Sequence, residues 1–375
     1  MLELVLAKRL TAWEKRGLLR TLGGKTTSSV DLVSNDYLGL ARCPQLREIF
    51  QRDSGRGEGL VGSTGSRLLS GNSADAEAAE RQCATFFQAP AGLLFSSGYA
   101  ANVGLLSCVA QRTDTVLYDE FVHASTRDGI RLSGARAWAF RHNDAEELRE
   151  RCARASGNIF IVVESLYSMD GDYAPLSEIG AIAREFGAAV IVDEAHSTGI
   201  CGVYGEGCTR LSGVADVVLA RVHTFGKAMG VHGAVVVGSD LLRSYLINFA
   251  RSFIYSTAPS PDFYGWISAS LERCRYADLE RAALRERVNC FRELSAELVP
   301  GHVFGDGPIQ IVRVSGAGRV RQIGASVRDL GYDCRAILAP TVREGDERLR
   351  VCLHAYDDMQ MYEQFLRVVG KALCA

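Results

Sequence analysis

Short, continuously apolar runs recur through the middle of the chain, separated by stretches whose apolar positions fall at helical spacing. The runs are Leu93-Leu94-Phe95, Val116-Leu117-Tyr118, Ala137-Trp138-Ala139-Phe140, Ile159 to Val163, Ala189 to Val192, Val217-Val218-Leu219 and Ala234 to Val237. Runs this short and free of polar alternation suit strands covered on both faces, and their alternation with helices, such as one from Asp75 to Gln88, predicts a mainly parallel seven-stranded sheet in an α/β fold. These strands define a large domain over residues 43–245. Before it, Leu2, Leu6, Leu10 and Trp13 lie on one face of a helix, which predicts an N-terminal arm packed on the body. A short strand from Val30 follows and turns at Asn35-Asp36, completing residues 1–42. Residues 246–375 read as a smaller C-terminal α/β domain. Helices run to about residue 300, with Leu271 to Leu298 polar enough for the surface. Strands are expected at Ile309 to Val314, Ile337 to Thr341 and Arg348 to Leu353, with a helix to Leu330 and a final helix at the end.

Composition narrows the classes of function. With 375 residues, 47% of them apolar, the chain can bury a large core. A net charge of -2 with dispersed basic residues offers no stripe for nucleic acid and no polybasic patch for a membrane. No apolar run approaches the roughly 20 residues of a bilayer span. The start, Met1 to Arg9, carries charge within its apolar part and makes a poor signal peptide, so a cytoplasmic protein is expected. The eleven cysteines are scattered singly, without zinc spacing, and read as reduced and mostly buried.

Two glycine patterns are decoys. Gly57, Gly59 and Gly62 satisfy G-x-G-x-x-G, yet Phe50 to Ser54 is no buried strand and Ser63 to Asn72 no helix start. Gly24-Lys25-Thr26 lacks the earlier glycine of a P-loop, because position 19 is Leu19. The loop from Gly55 to Asn72 is expected to shape a pocket wall or a subunit contact, or to be a plain connector.

In an open α/β sheet, ligands collect beyond the carboxyl ends of the strands. The runs here end in Ser96-Ser97-Gly98-Tyr99 before a helix from Ala100 to Ala110, in Asp119 to His123, in Glu164 to Asp172, in Asp193-Glu194-Ala195-His196, and in Thr224-Phe225-Gly226-Lys227. Singly, each reads as a cap, a turn, a structural histidine or a solvated lysine. Together they complement pyridoxal phosphate. Lys227 would bond covalently to it, and the Gly98 and Tyr99 backbone with Ser97 and Thr224 would hold the phosphate at a helix start. Asp193 would pair with the pyridine nitrogen, His196 would reach the ring hydroxyl, and His123 could stack on the ring. Metal binding by the same acids is disfavoured because Asp193 and Glu194 point to opposite faces of a strand.

The series Asn35-Asp36-Tyr37-Leu38-Gly39, Ser97 to Asn102, His123-Ala124-Ser125, Ser168 to Asp172, Asp193 to His196 and Thr224 to Lys227 resembles the α-oxoamine synthases, fold-type I pyridoxal phosphate enzymes, in order from about residue 8 to the end. The resemblance implies decarboxylative condensation of an amino acid with an acyl thioester. Its nearest form joins L-alanine to a pimeloyl thioester, carried by coenzyme A or a carrier protein, in biotin biosynthesis. It also implies a homodimer with the site at the interface, where Tyr255-Ser256-Thr257 of one chain approach the phosphate in the other. By the same resemblance, Ser168 is expected among the cofactor contacts, Arg350 with Asn35 at the amino-acid carboxylate, and Arg20 and Thr341 near the acyl group. Lys227 serves as the base, and His123 assists at the thioester carbonyl. Sister synthases using glycine or serine, an aminotransferase, and a silent partner subunit remain alternatives; Lys227 counts against the last. The chain departs from the family pattern at His232, where many synthases carry serine, and at His223 before Thr224.

Overall fold

The computed structural model describes residues 2–20, 22, 29–54 and 60–374, so the glycine decoys at 24–26 and 55–59 lie outside the described residues. After β1 (Val30–Asp31), a seven-stranded sheet is built from β2 (Ala91–Phe95), β3 (Thr115–Asp119), β4 (Arg136–Phe140), β5 (Ile159–Glu164), β6 (Ala189–Asp193), β7 (Val218–Thr224) and β8 (Ala234–Gly238). Each of the seven apolar runs is a strand. Their order is β2-β8-β7-β6-β5-β3-β4, parallel from β7 to β4. Only β8 runs the other way, antiparallel to both β7 and β2.

The absence of polar alternation is explained by burial on both faces. Phe160 and Val162 pack with Leu105 and Ile130 on one side, whereas Ile161 and Val163 pack with Leu148 and Ile179 on the other. Fully burying one such side chain stabilises the fold by roughly 1.5–3 kcal/mol.

Because β8 is reversed, its amino end lies at the same edge as the carboxyl ends of the parallel strands. Residues 225–233 therefore form a hairpin between two interior strands, closed by Phe225 N–H to the Gly233 carbonyl and Val231 N–H to the Phe225 carbonyl, each 2.9 Å. Gly230 has φ +73°, and a Cβ there would meet the Ala41 backbone nitrogen at 2.3 Å, so only glycine fits.

Further along come β9 (Val303–Phe304), β10 (Ile309–Arg313), β11 (Tyr332–Asp333), β12 (Arg335–Ile337) and β13 (Arg348–Cys352). Four of them form an antiparallel sheet in the order β12-β13-β10-β9, while β11 pairs in parallel with β1. Helices Asp278–Leu298, Ala317–Asp329 and Gln360–Cys374 cover this sheet through Phe291, Ile323 and Phe365.

Several expectations need correction. Helix Leu2–Lys15 forms but buries none of its residues; Leu2 is 82% and Leu6 60% exposed, so it is not packed on the body. Periodicity identifies an apolar stripe without identifying what covers it. The stretch from Leu271 to Leu298 is not simply surface: Leu271, Leu284, Val288 and Phe291 are buried, a narrow stripe masked by dense charge. The strand expected at Ile337 to Thr341 stops at Ile337 and turns, with Thr341 N–H bonded to the Leu338 carbonyl at 2.9 Å; Pro340 has no N–H to give a ladder. All eleven cysteines are free thiols, but only five are fully buried and Cys374 is exposed. Among the described residues no helix is long and apolar enough to cross a membrane.

The described part of the glycine loop runs along residues 257–259. Ser63 Oγ donates to the Pro259 carbonyl at 2.6 Å, and Ala258 N–H donates to the Gly65 carbonyl at 2.9 Å.

Candidate active site

A cavity of about 230 Å³ opens at the carboxyl edge of the large sheet. Ser97, Gly98, Tyr99, His123, Asp193, His196, Thr224 and Lys227 all line it, so eight of the predicted site residues meet in one place. They arrive from four places: the start of helix Gly98–Val109, the cap of helix Ala124–Ser133, the end of β6, and the end of β7 with its hairpin. Ser97 caps helix Gly98–Val109, its hydroxyl accepting from Ala100 N–H at 3.1 Å, which leaves the first N–H groups of that helix facing outward without intrahelical partners. A Cβ on Gly98 would lie 2.5 Å from Thr224 Cγ2, so glycine allows the hairpin threonine to come against the helix start. His123 caps helix Ala124–Ser133, its Nδ1 accepting from Ser125 N–H at 3.2 Å; in the neutral ring Nε2 then carries the hydrogen.

Asp193 ends β6 with both oxygens held. Oδ2 accepts from the Asn102 amide at 2.7 Å and Oδ1 from Ala195 N–H at 2.9 Å. Glu194, on the opposite face, is fully occupied elsewhere, accepting from Cys208 N–H at 2.9 Å and Thr209 N–H at 2.8 Å and from the Ser197 and Thr209 hydroxyls. His196 is buried and bonded through Nδ1 to the Tyr37 hydroxyl at 2.8 Å, and that hydroxyl donates to Asn35 Oδ1 at 3.0 Å.

Burial governs the charges. It lowers the Lys227 ammonium from its usual range against the pull of Asp193 and Glu164. It lowers His123, and with the Lys227 and Arg350 charges it drives His196 well below the ordinary histidine value. The site therefore favours neutral imidazoles and an amine that deprotonates more readily than a solvated lysine.

Other predicted residues lie outside the cavity wall. Arg350 on β13 donates from Nε to the Ser168 carbonyl at 2.7 Å, from one amino group to Asn35 Oδ1 at 2.9 Å and from the other to Cys352 Sγ at 2.9 Å. Asn35, Ser168 and Arg350 thus form one cluster beside the cavity. Arg20 donates to Thr341 Oγ1 at 3.4 Å, and both are exposed. Ser256 and Thr257 are exposed and line no part of this chain's own cavity.

Five further residues belong to the site: Tyr37, Asn102, Ser125, Glu164 and His232. Asn102 lies four residues after Gly98, one helical turn on, a spacing that could have marked it. Glu164 sits opposite Asp193 across β5 and β6, a register that no single strand discloses. His232, at the far stem of the hairpin, lines the cavity and also a neighbouring pocket of about 690 Å³ walled by Leu46, Phe263 and Trp266. His223 is a core residue, fully buried, stacked on Phe87 at 3.8 Å and bonded through Nδ1 to Thr198 Oγ1 at 2.9 Å.

The donor set fits pyridoxal phosphate. A bare helix start with the Thr224 hydroxyl suits a phosphate, a carboxylate held by two N–H donors suits a protonated ring nitrogen, and a half-buried amine with no hydrogen bond among the described residues suits an aldehyde.

The family model described as aminotransferase class I and II matches residues 27–369. The chain is 39% identical over 371 residues to the 8-amino-7-oxononanoate synthase of Emericella nidulans, covering 92% of this chain and 89% of that one. Among solved structures, the serine palmitoyltransferase of Sphingomonas wittichii is 26% identical with a TM-score of 0.88, covering 98% and 96% of the two chains. The 8-amino-7-oxononanoate synthase from Francisella tularensis is 27% identical with a TM-score of 0.79, covering 92% and 98%. A further neighbour, 25% identical with a TM-score of 0.89 over 98% and 97% of the chains, was solved with pyridoxal phosphate.

Proposed function

The chain belongs to the class I and II aminotransferase family and has the fold-type I architecture of pyridoxal phosphate transferases, and from that premise we propose that it is an 8-amino-7-oxononanoate synthase. It would join L-alanine to a pimeloyl thioester, releasing carbon dioxide and free thiol, in biotin biosynthesis. The observation that carries this reading is the cavity where Lys227, lowered by burial, faces an Asp193 fixed by Asn102, in a chain 39% identical to a synthase of that name.

Pyridoxal phosphate bound here supplies an electron sink for a carbanion at the amino acid's α-carbon. Lys227 would anchor it, Asp193 would serve its ring nitrogen, His196 its ring hydroxyl and His123 its ring. The helix start with Ser97, Gly98, Tyr99 and Thr224 would hold its phosphate, and Ser168 braces the wall because its carbonyl accepts from Arg350.

Arg350 and Asn35 take the alanine carboxylate. Three of the five guanidinium N–H groups already serve to fix the plane, which leaves two for substrate. Lys227 Nζ then takes the α-proton, a task that suits an amine whose affinity for protons is lowered from the ordinary lysine range. His123, neutral and bearing its hydrogen on Nε2, donates toward the thioester oxygen as charge develops there. Arg20 and Thr341 meet the acyl group at the entrance.

The protein works as a cytoplasmic homodimer in this reading. Its support is that Tyr255, Ser256 and Thr257 are exposed and unused by their own cavity, available to complete the phosphate site of a second copy.

Purified protein given pyridoxal phosphate should turn yellow, and Lys227→Ala should lose the borohydride-fixed linkage. Thiol release across a grid of amino acids and acyl thioesters should peak at alanine with a pimeloyl donor, comparing coenzyme A and carrier-protein forms. A peak at glycine or serine would assign a sister synthase. Amino transfer to a keto acid without thiol release would overturn the reaction.

A further inference from the structure

Glu164, the last residue of β5, is 3% exposed and lines the reactive cavity, yet the mechanism above gives it no task. Its Oε1 has no hydrogen-bond partner among the described residues, while Oε2 accepts from Ser168 N–H at 3.3 Å. An unpartnered carboxyl oxygen this deeply buried is costly unless something in the cavity uses it. Two facts say what that use is. Glu164 is paired in register with Asp193, which places two carboxyls on adjacent strands. Both Asp193 oxygens are already held by N–H donors, so Glu164 Oε1 is the oxygen free to carry a proton. Glu164 is also the first member of a hydrogen-bonded series around the site, from Oε2 to Ser168, from the Ser168 carbonyl to Arg350, then Asn35, Tyr37 and His196.

We propose that Glu164 is the proton-holding residue of this site, the carboxyl that exchanges a proton with the Lys227 amine and keeps it between removal from the amino acid and return to the product. The proposal rests on the reaction proposed above. The carbon–hydrogen bond of alanine breaks with its electron pair left on the carbon side, and the proton goes to neutral Lys227 Nζ. The resulting ammonium passes a proton to the Glu164 carboxylate, which becomes a carboxylic acid while the amine is regenerated. After the carbon–carbon bond to the carboxylate breaks and carbon dioxide leaves, the proton returns by the same two groups and the electron pair closes the new carbon–hydrogen bond. Charge and atoms balance without a co-reactant.

The charged and titratable groups that face Glu164 set its proton affinity. These are Asp193 on β6, Lys227 in the hairpin and the buried Tyr167 just after β5, with His123 at its helix cap acting through its backbone N–H. Burial and the Asp193 charge push the Glu164 carboxyl up to about 8, against Lys227 and the His123 and Ser168 backbone N–H groups, which lower it. A carboxyl poised near working pH both accepts and returns a proton, unlike one of ordinary strength.

Glu164→Gln keeps an oxygen for Ser168 N–H and removes the titration. In cofactor-free protein, infrared spectra should show a protonated-carboxyl band that titrates near pH 8 and is missing from the variant. In cofactor-loaded protein without acyl donor, exchange of the alanine α-hydrogen in deuterated water should slow by about 10-fold or more, with loss of the limb near pH 8 and unchanged cofactor absorbance. Glu164→Asp should restore a limb at a shifted midpoint. Absence of the band, or equal exchange with an unaltered pH profile in Glu164→Gln, overturns the role. Wild-type protein that exchanges no amino acid while showing the band overturns the reaction itself, and this role with it.

Discussion

His142 should make the stability of this protein fall as pH rises through the alkaline range. Its ring lies between two carboxylates, with Nδ1 3.0 Å from Asp119 Oδ1 and Nε2 2.8 Å from Asp172 Oδ2, stacked on Phe121 at 4.5 Å. Burial opposes its charge, but hydrogen bonds to Asp119 and Asp172 and their charges outweigh it, raising the imidazolium from 6.5 to about 10. A group held above its unfolded value contributes stability that is full below about pH 6.5 and is lost as pH rises through about 10. Linkage sets a ceiling of about 5 kcal/mol, and desolvation of the triad reduces the expected share to on the order of 2–3 kcal/mol. The perturbation is His142→Gln, which keeps a donor for one carboxylate and removes the charge. Urea unfolding of cofactor-free protein at pH 6, 8 and 10 would measure the gap between wild type and variant, which should be widest at pH 6 and nearly closed at pH 10. The variant should also bind alanine more weakly, because Asp172 belongs to the segment whose Ser168 and Met169 carbonyls receive Arg350 and Arg348. A gap of constant size across pH would refute the reasoning, since it would mean that the ring contributes by packing alone.

Three other outcomes follow from geometry already described. Gly98→Ala would drive a methyl to 2.5 Å from Thr224 Cγ2 and should weaken cofactor binding by about 10-fold or more, read by titrating pyridoxal phosphate absorbance; unchanged affinity would show that the helix start does not hold the phosphate. Arg350→Lys keeps the charge but loses the planar fork that serves Ser168, Asn35 and Cys352 together, so the KM for alanine should rise by about 10-fold or more with a smaller change for the acyl donor. His223 is held neutral, its imidazolium pushed well below the ordinary value by burial, so it costs stability as pH falls below about 6.5; His223→Leu should flatten the acid limb of the melting temperature, and an unchanged limb would show that the ring does not titrate on unfolding.

The sequence reveals most of the large sheet because each of its strands is buried on two faces and so carries an unbroken apolar run. An apolar run has no direction, however, and nothing in Ala234 to Val237 discloses that β8 is reversed. The same division holds at the site. Lys227, Asp193 and the Ser97-Gly98-Tyr99 turn are legible because each sits within a few residues of a strand end. Glu164 gains its meaning only from the register of β5 against β6. His142 lies in the polar run Arg141-His142-Asn143-Asp144, which reads as an ordinary turn, and its partners are 23 and 30 residues away. The N-terminal helix shows the converse limit: its apolar stripe is visible in the sequence, but within a single chain the stripe covers nothing.

The hairpin that carries Lys227 has a consequence for how such a protein can change. Both of its stems are hydrogen-bonded on two sides, β7 by β6 and β8 by β2, and Gly230 is pressed against the backbone at Leu40 and Ala41. A residue inserted or deleted between 225 and 233 would have to slip an interior strand or break that backbone contact, so the length of this loop is frozen. Its side chains are under no such constraint where they face open space. Position 232 borders both the reactive cavity and the larger pocket beside it, so substitutions there can remodel substrate preference while the lysine stays where two ladders hold it. New specificity can therefore arise by single replacements at a fixed chain length, and libraries built on this scaffold should diversify residue 232 and leave the loop length alone.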